Sequence, residues 1–204
     1  MLLLLFIVAP VVFAADYITK EIALAAFSRQ DPVQLFGGLL QFTLIFNPGA
    51  AFSIGAGMTW VLTLVALGVV LYILRVARKL RSVGWAIALG LILGGACGNL
   101  ADRFFRPPAP LHGWVVDWIQ VPYWPVFNIA DSCIVTGGVL VVILAFRGIN
   151  PDGTREPDRE TAAAGDAGPV TDGPPEGGPE PSGSERPGGT SGGAAPATRE
   201  DGGD

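Results

Sequence analysis

Histidine and cysteine are almost missing from this 204-residue chain, which holds one His and two Cys. Neither Cys97 nor Cys133 has a His or Cys partner at metal-ligand spacing, so no zinc or other transition-metal motif can be read and no metal is expected. Both lie in apolar segments and read as small buried hydrophobes. His112 has no partner in motif spacing and reads as a surface residue, which also removes a Ser-His-Asp arrangement. The glycine-rich stretches lack the Lys-Ser or Lys-Thr that completes a phosphate-cradling loop, so no nucleotide cofactor is expected.

Charge is scarce too, at 15 % of residues, and it is unevenly spread. Twelve of the 18 acids and four of the 13 bases lie from Pro151 onward, so the net charge of −5 becomes about +3 for residues 1–150. That C-terminal stretch is Gly, Pro, Ser, Thr, Ala and charge, with almost nothing to bury. Residues 151–204 are therefore expected to be a disordered, low-complexity acidic tail, and residues 1–150 the functional domain.

What the chain has in quantity is long apolar runs, each near the 20 residues that cross a bilayer. Leu2 to about Phe27 reads as the first span. No Lys or Arg precedes it, which argues against a cleaved signal peptide, and Asp16 and Lys20 can pair four apart along its face. Pro10 is a candidate kink. The second span is Met58 to Leu74 and the third Val83 to about Leu100. A fourth helix is expected to start near Trp124 or Pro125 and to run through Phe146, with proline in its first turn.

Arg75, Arg78, Lys79 and Arg81 crowd the short loop between spans two and three. Short basic loops stay in the cytoplasm, which places both termini there and Asn47 and His112 outside. The same loop reads as an orientation signal rather than a nucleic-acid patch. Trp114, Trp118, Tyr123 and Trp124 suit the outer membrane-water interface. Between the first two spans, LLQFTLIF followed by NPG reads as a strand entering a turn, with Asn47 as a turn residue. Gly94, Gly95 and Gly98 let neighbouring helices approach.

With this topology Asp16, Asn47, Asn99, Asp102, Asp117, Asn128 and Asp131 all fall at the outer face. A carboxylate in a membrane helix costs about 2.5 to 3.5 kcal/mol, so acids gathered at one depth imply a polar site. Asp131 is expected about two turns inside its helix, with Asn128 on the same face. Asn99, Asp102 and Arg103 are expected to share a face, with Asp102 and Arg103 forming a structural pair. Two aspartates sharing a site cannot both ionise easily, and such a pair can hold a water between an acid and a base. A proton-conducting transporter is the alternative, but its polar residues would run through the full depth, whereas the cytoplasmic halves of these spans are apolar. A structural assembly protein would leave Asp117 and Asp131 unexplained.

Five motifs in order carry a resemblance: DYITK at Asp16 to Lys20, NPGAAFS at Asn47 to Ser53, GGACGNLADR at Gly94 to Arg103, VVDW around Asp117, and FNIADS at Phe127 to Ser132. From Leu2 to Phe146 the chain resembles the lipoprotein signal peptidases (signal peptidase II), bacterial membrane aspartyl proteases. The resemblance implies an all-α membrane protein of four transmembrane helices with a small extracytoplasmic β-cradle. It implies a catalytic pair at Asp117 and Asp131, with Asp16, Lys20, Asn47, Gly49, Asn99, Asp102, Arg103, Asn128 and Ala130 supporting it or binding substrate. It implies cleavage of prolipoproteins on the amino side of a cysteine bearing diacylglycerol, in the cell membrane. Membrane lipid is a further expected partner, nucleic acid is not, and a monomer is expected. The segment from Asn47 to Gly57 is expected to cover the site. Four departures stand out: a short N-terminus that fits a start further upstream, an extended RPPAP loop, a compact segment between Asp117 and Asp131, and Trp118 where Phe is common.

Overall fold

The structure is a computed structural model that describes residues 1–49 and 58–155. Four helices form its frame: α1 (Leu2–Ala26), α2 (Thr59–Ala77), α3 (Val83–Phe105) and α4 (Ile129–Phe146). Each is long and apolar enough to cross a membrane. Three short strands, β1 (Val33–Leu35), β2 (Leu40–Asn47) and β3 (Val115–Gln120), make one antiparallel sheet in that order.

The third helix is central and lies against α1, α2 and α4. Its sequence explains why. Lipid tails are as apolar as leucine, so helices in a bilayer associate through close packing, and small residues permit it. A Cβ on Gly94 would meet the Ala9 carbonyl and Val12 of α1, and one on Gly95 would meet the Ala130 carbonyl of α4. A Cβ on Gly98 would meet the Asp16 carboxylate. The glycine motif thus brings three polar-bearing helix segments within hydrogen-bond reach of one another. Away from these seams the helices turn Leu3, Leu71 and Val139 outward, as a lipid-facing surface requires.

The third helix runs to Phe105, five residues beyond the expected end, and carries Asp102 and Arg103 inside it. It stops at Arg106, extended at φ −95° and ψ 157°, because the residue before a proline is pushed out of the helical region.

The fourth helix begins at Ile129, not at Trp124 or Pro125. The residues before it are drawn to the sheet instead: Phe127 N–H donates to the Ile119 carbonyl, and the Phe127 carbonyl accepts from the N–H groups of Trp118 and Ile119. Asn128 is the N-cap. Its side chain accepts from Asp131 N–H while the Asp131 carboxylate accepts from Asn128 N–H, a reciprocal capping box. Asp131 is therefore in the first turn rather than two turns deep, and Asn128 precedes the helix rather than sharing its face.

Val115, Val116 and Ile119 supply the β-branched character of β3. The register pairs Asn47 with Val115 and Ile45 with Asp117. Side chains alternate along a strand, so Ile45, Asn47 and Asp117 share one face of the sheet, with Asn47 and Asp117 diagonal neighbours. Trp118 points the other way. It stacks on Phe27 at the end of α1 (ring centroids 5.9 Å apart) and meets Phe42 at 5.4 Å, which seats the sheet on the helix.

Residues 151–155, assigned by composition to the tail, close against the α2–α3 turn. The Pro151 carbonyl accepts from Arg81 and Ser82 N–H at 2.9 and 3.1 Å, and Trp85 Nε1 donates to the Ile149 carbonyl at 2.7 Å. The expected disorder of the rest of the tail, and the expected cover over the site beyond Gly49, fall outside the described residues.

Candidate active site

Four elements converge at the junction of helices and sheet. The first turn of α4 brings Asp131, β3 brings Asp117, the end of β2 brings Asn47, and α3 brings Asn99 and Arg103. All five line one cavity of about 390 Å³. Its other walls are apolar: Leu62, Ala66 and Val69 from α2, Ile92 and Ala96 from α3, Ile134 and Val135 from α4. Such a mixture, mostly apolar with a few convergent polar groups, is the usual form of a ligand site.

Asparagines link the two carboxylates. Asn128 Nδ2 donates to Asp117 Oδ1 at 2.7 Å, and Asn128 N–H donates to Asp131 Oδ2 at 3.3 Å. Asn47 Nδ2 donates to Asp117 Oδ2 at 2.9 Å, and Asn99 Nδ2 donates to Asp131 Oδ1 at 2.8 Å. Each acid therefore receives two donors and keeps lone pairs free. Asp117 is buried, at 2 % exposure. Burial first, and the Asp131 charge second, push its carboxyl up to about 7, with the Asn47 and Asn128 donors working in the opposite direction.

Beneath this pair lies a buried ion cluster. Lys20 Nζ, on a side chain 1 % exposed, sits 2.7 Å from Asp16 Oδ2, 2.8 Å from Asp102 Oδ2 and 2.9 Å from Asn99 Oδ1. The expected Asp16–Lys20 pair is present, and it extends to α3. The other oxygen of Asp16 accepts from Ala130 N–H at 2.8 Å, fixing the start of α4 to α1. Removing one member of such a buried set leaves an unpaired charge and costs about 3–5 kcal/mol.

Asp102 and Arg103 do not pair with each other. Adjacent residues on a helix point about 100° apart, so they face different neighbours. Asp102 accepts from Lys20, Arg106 Nε and Val116 N–H. Arg103 donates to the Gly49 carbonyl at 2.6 Å and to the Gly113 carbonyl at 3.4 Å. Asn99 points with Arg103 into the cavity, and it holds Asp131 rather than backbone. Asn47 does act as a turn residue, since its Oδ1 accepts from Gly49 N–H, but its other end reaches Asp117.

Arg106, not among the expected site residues, joins Asp102 to Glu21 of α1. Its i,i+4 spacing from Asp102 was the available signal. His112 is exposed, 3.2 Å from the Pro110 carbonyl and away from the carboxylates. Both cysteines are free. Among the described residues no group of three or more His, Cys, Asp or Glu is placed to hold a metal ion.

A four-span membrane protein with two linked carboxylates at the end of its bundle has the form of an intramembrane-type acid-base enzyme. The comparisons with known proteins give the family. A family model described as signal peptidase (SPase) II matches residues 8–147. A lipoprotein signal peptidase of Rhodococcus jostii (strain RHA1) is 55 % identical over 154 residues, covering 76 % of this chain and 78 % of that protein. One from Streptomyces griseus is 51 % identical over 157 residues, covering 77 % and 80 %. A solved structure described as a bacterial membrane enzyme matches with a TM-score of 0.64 at 25 % identity, over 76 % of this chain and 94 % of the other. The chain belongs to the signal peptidase II family, the aspartic-type membrane proteases of bacteria.

Proposed function

We propose that this protein is a membrane aspartic endopeptidase that removes the signal peptide of prolipoproteins, cutting on the amino side of a cysteine that carries diacylglycerol. The family and its relatives named lipoprotein signal peptidase support the substrate class. The single observation that carries the chemistry is the pair of hydrogen bonds from Asn128 to Asp117 and Asp131, the two acids that line an otherwise largely apolar cavity.

Asp117 and Asp131 are the proposed dyad, sharing one proton as a coupled pair. Asp117 is the member that holds it at rest, since burial and its neighbour raise its carboxyl to about 7. Asp131, at a helix N-terminus where negative charge is favoured, is the base. A water between them gives a proton to Asp131 as its oxygen attacks the scissile carbonyl carbon, and Asp117 protonates the carbonyl oxygen. The carbon-nitrogen bond of the resulting diol then breaks. The proton on Asp131 goes to the leaving amine of the lipidated cysteine, and a proton of the diol returns to Asp117 as the signal peptide leaves with a new carboxyl terminus.

A lipid-bearing substrate is confined to the bilayer, which fits a cavity that Leu62, Val69, Ile92 and Ile134 line together with the acids. Arg103 and Gly49, which line the same cavity as the two acids, are suited to hold the peptide. The basic α2–α3 loop supports cytoplasmic termini and a site at the outer face. The proposed working unit is a monomer. The peptidase domain is residues 1–150, with residues 151–155 closing its α2–α3 end and the remainder a dispensable tail. The test is incubation of the purified protein with a diacylglyceryl-modified prolipoprotein and with its unmodified counterpart. Cleavage before the modified cysteine alone is expected; cleavage of neither, or of both equally, contradicts the reading.

A further inference from the structure

The Lys20 ammonium donates to Asn99 Oδ1 at 2.9 Å, and it pairs with Asp16 and Asp102 rather than with either proposed catalytic acid. An ammonium is a donor with no acceptor, so the atom of Asn99 that faces it must be the amide oxygen. A second donor, Asn128 Nδ2, approaches the same oxygen at 3.3 Å. With its oxygen fixed by two donors, Asn99 has to turn its Nδ2 toward Asp131 Oδ1, which it meets at 2.8 Å. A flipped amide would set donor against donor at Lys20 and Asn128, and oxygen against oxygen at Asp131. Amide orientation, free in most surroundings, is dictated here by a buried charge on another helix.

We propose that Lys20 is a positioning residue for the cleavage reaction: from α1 it fixes the Asn99 amide so that Asp131 Oδ1 is always presented with a donor. Asp16 and Asp102 hold the ammonium on the far side, at 2.7 and 2.8 Å, so the lysine cannot swing away without stripping the buried Asp16 carboxylate of its ion-pair partner and Asp102 of one of its two. This inference rests on Asp117 and Asp131 being the dyad. It goes further in giving Lys20 an effect on turnover that passes through Asn99 rather than through helix packing.

The experiment is a double-mutant cycle of Lys20→Met and Asn99→Ala, read as kcat and KM on a diacylglyceryl-modified prolipoprotein. Lys20→Met alone is expected to lower kcat about 10- to 100-fold, the effect of losing one buried hydrogen bond, with KM within about twofold. In the Asn99→Ala background the same substitution should lower kcat less than about twofold, because the amide it acts through is gone. Equal losses in both backgrounds, or a loss in KM instead of kcat, overturn the proposal. Should Lys20→Met fail to fold, the cycle is run with Lys20→Gln, whose amide can still donate. Lys20→Gln is then expected to keep most of kcat in the native background, and a loss that persists undiminished in Asn99→Ala again overturns it. An inactive native enzyme would refute the functional reading instead, so the two failures are distinct.

Discussion

The side-chain amide of Asn128 donates to Asp117 Oδ1 at 2.7 Å, joining the N-cap of a membrane helix to the middle of a β-strand. Because the same residue caps α4 and orients Asp131, one asparagine sets both the helix start and the spacing of the two acids. Asn128→Ala should therefore remove the cap, at about 1 kcal/mol, and unseat both carboxylates. The expected result is a modest fall in thermal stability with a loss of turnover of more than about 100-fold. Near-native turnover in a folded Asn128→Ala protein would separate the cap from the site.

The raised carboxyl of Asp117 predicts the pH dependence. Its folded value, about 7, lies well above that of an unfolded aspartate, so folding favours the protonated form. This contribution is full below about pH 4 and is lost as pH rises toward 7, where ionising the buried acid destabilises the fold. Cleavage should fall above about pH 7 as the acid is lost. Asp117→Asn should gain thermal stability relative to the native protein at pH 8 and gain little at pH 4, measured by unfolding in detergent. A stability difference that does not change with pH would remove this assignment.

Much of this was legible in the residues and some was not. The four spans, the 40–47 strand and the Asp16–Lys20 pair follow from hydropathy, alternation and spacing, because each is a local property. The start of α4 is not local: Pro125 and the aromatic run read as a first turn, while the backbone of Phe127 is claimed by β3, a partner outside that run. Asn128 and Asp131, three apart, carried the correct capping signal. Adjacency suggests a pair between Asp102 and Arg103, but helix geometry turns them apart toward Lys20 and Gly49. The partnership of Asp117 with Asp131 was not derivable from spacing; it came from the order of family motifs, and the strand register that brings Asn47 to Asp117 is a tertiary fact.

The close contact of Pro151 with the α2–α3 turn sets where the chain can be cut. Truncation after Arg155 should leave stability and cleavage unchanged. Truncation after Asn150 removes the acceptor for Arg81 and Ser82 N–H and should lower stability by about 1 kcal/mol. Thermal unfolding of the two purified truncations decides it; equal stability would show that the Pro151 contact contributes nothing.

Orientation is checked by single thiols in a chain whose own cysteines are replaced. A cysteine at Lys79 should resist an impermeant reagent added to intact cells, and one at His112 should react. Labelling of position 79 from outside would invert the topology.

Single-turnover cleavage of a diacylglyceryl-modified prolipoprotein by purified Asp117→Asn, Asp131→Asn, their double variant and Asp102→Asn tests the dyad most directly. Each dyad variant should bind substrate and fail to cut, and the double variant should be little worse than either, since residues that act as a unit are not additive. Asp102→Asn, which loosens the Lys20 and Arg106 contacts, should lose stability at least as much as turnover. Substantial cleavage by Asp117→Asn or Asp131→Asn, with a stably folded but inactive Asp102→Asn, would move the acid-base role to Asp102 and contradict this account.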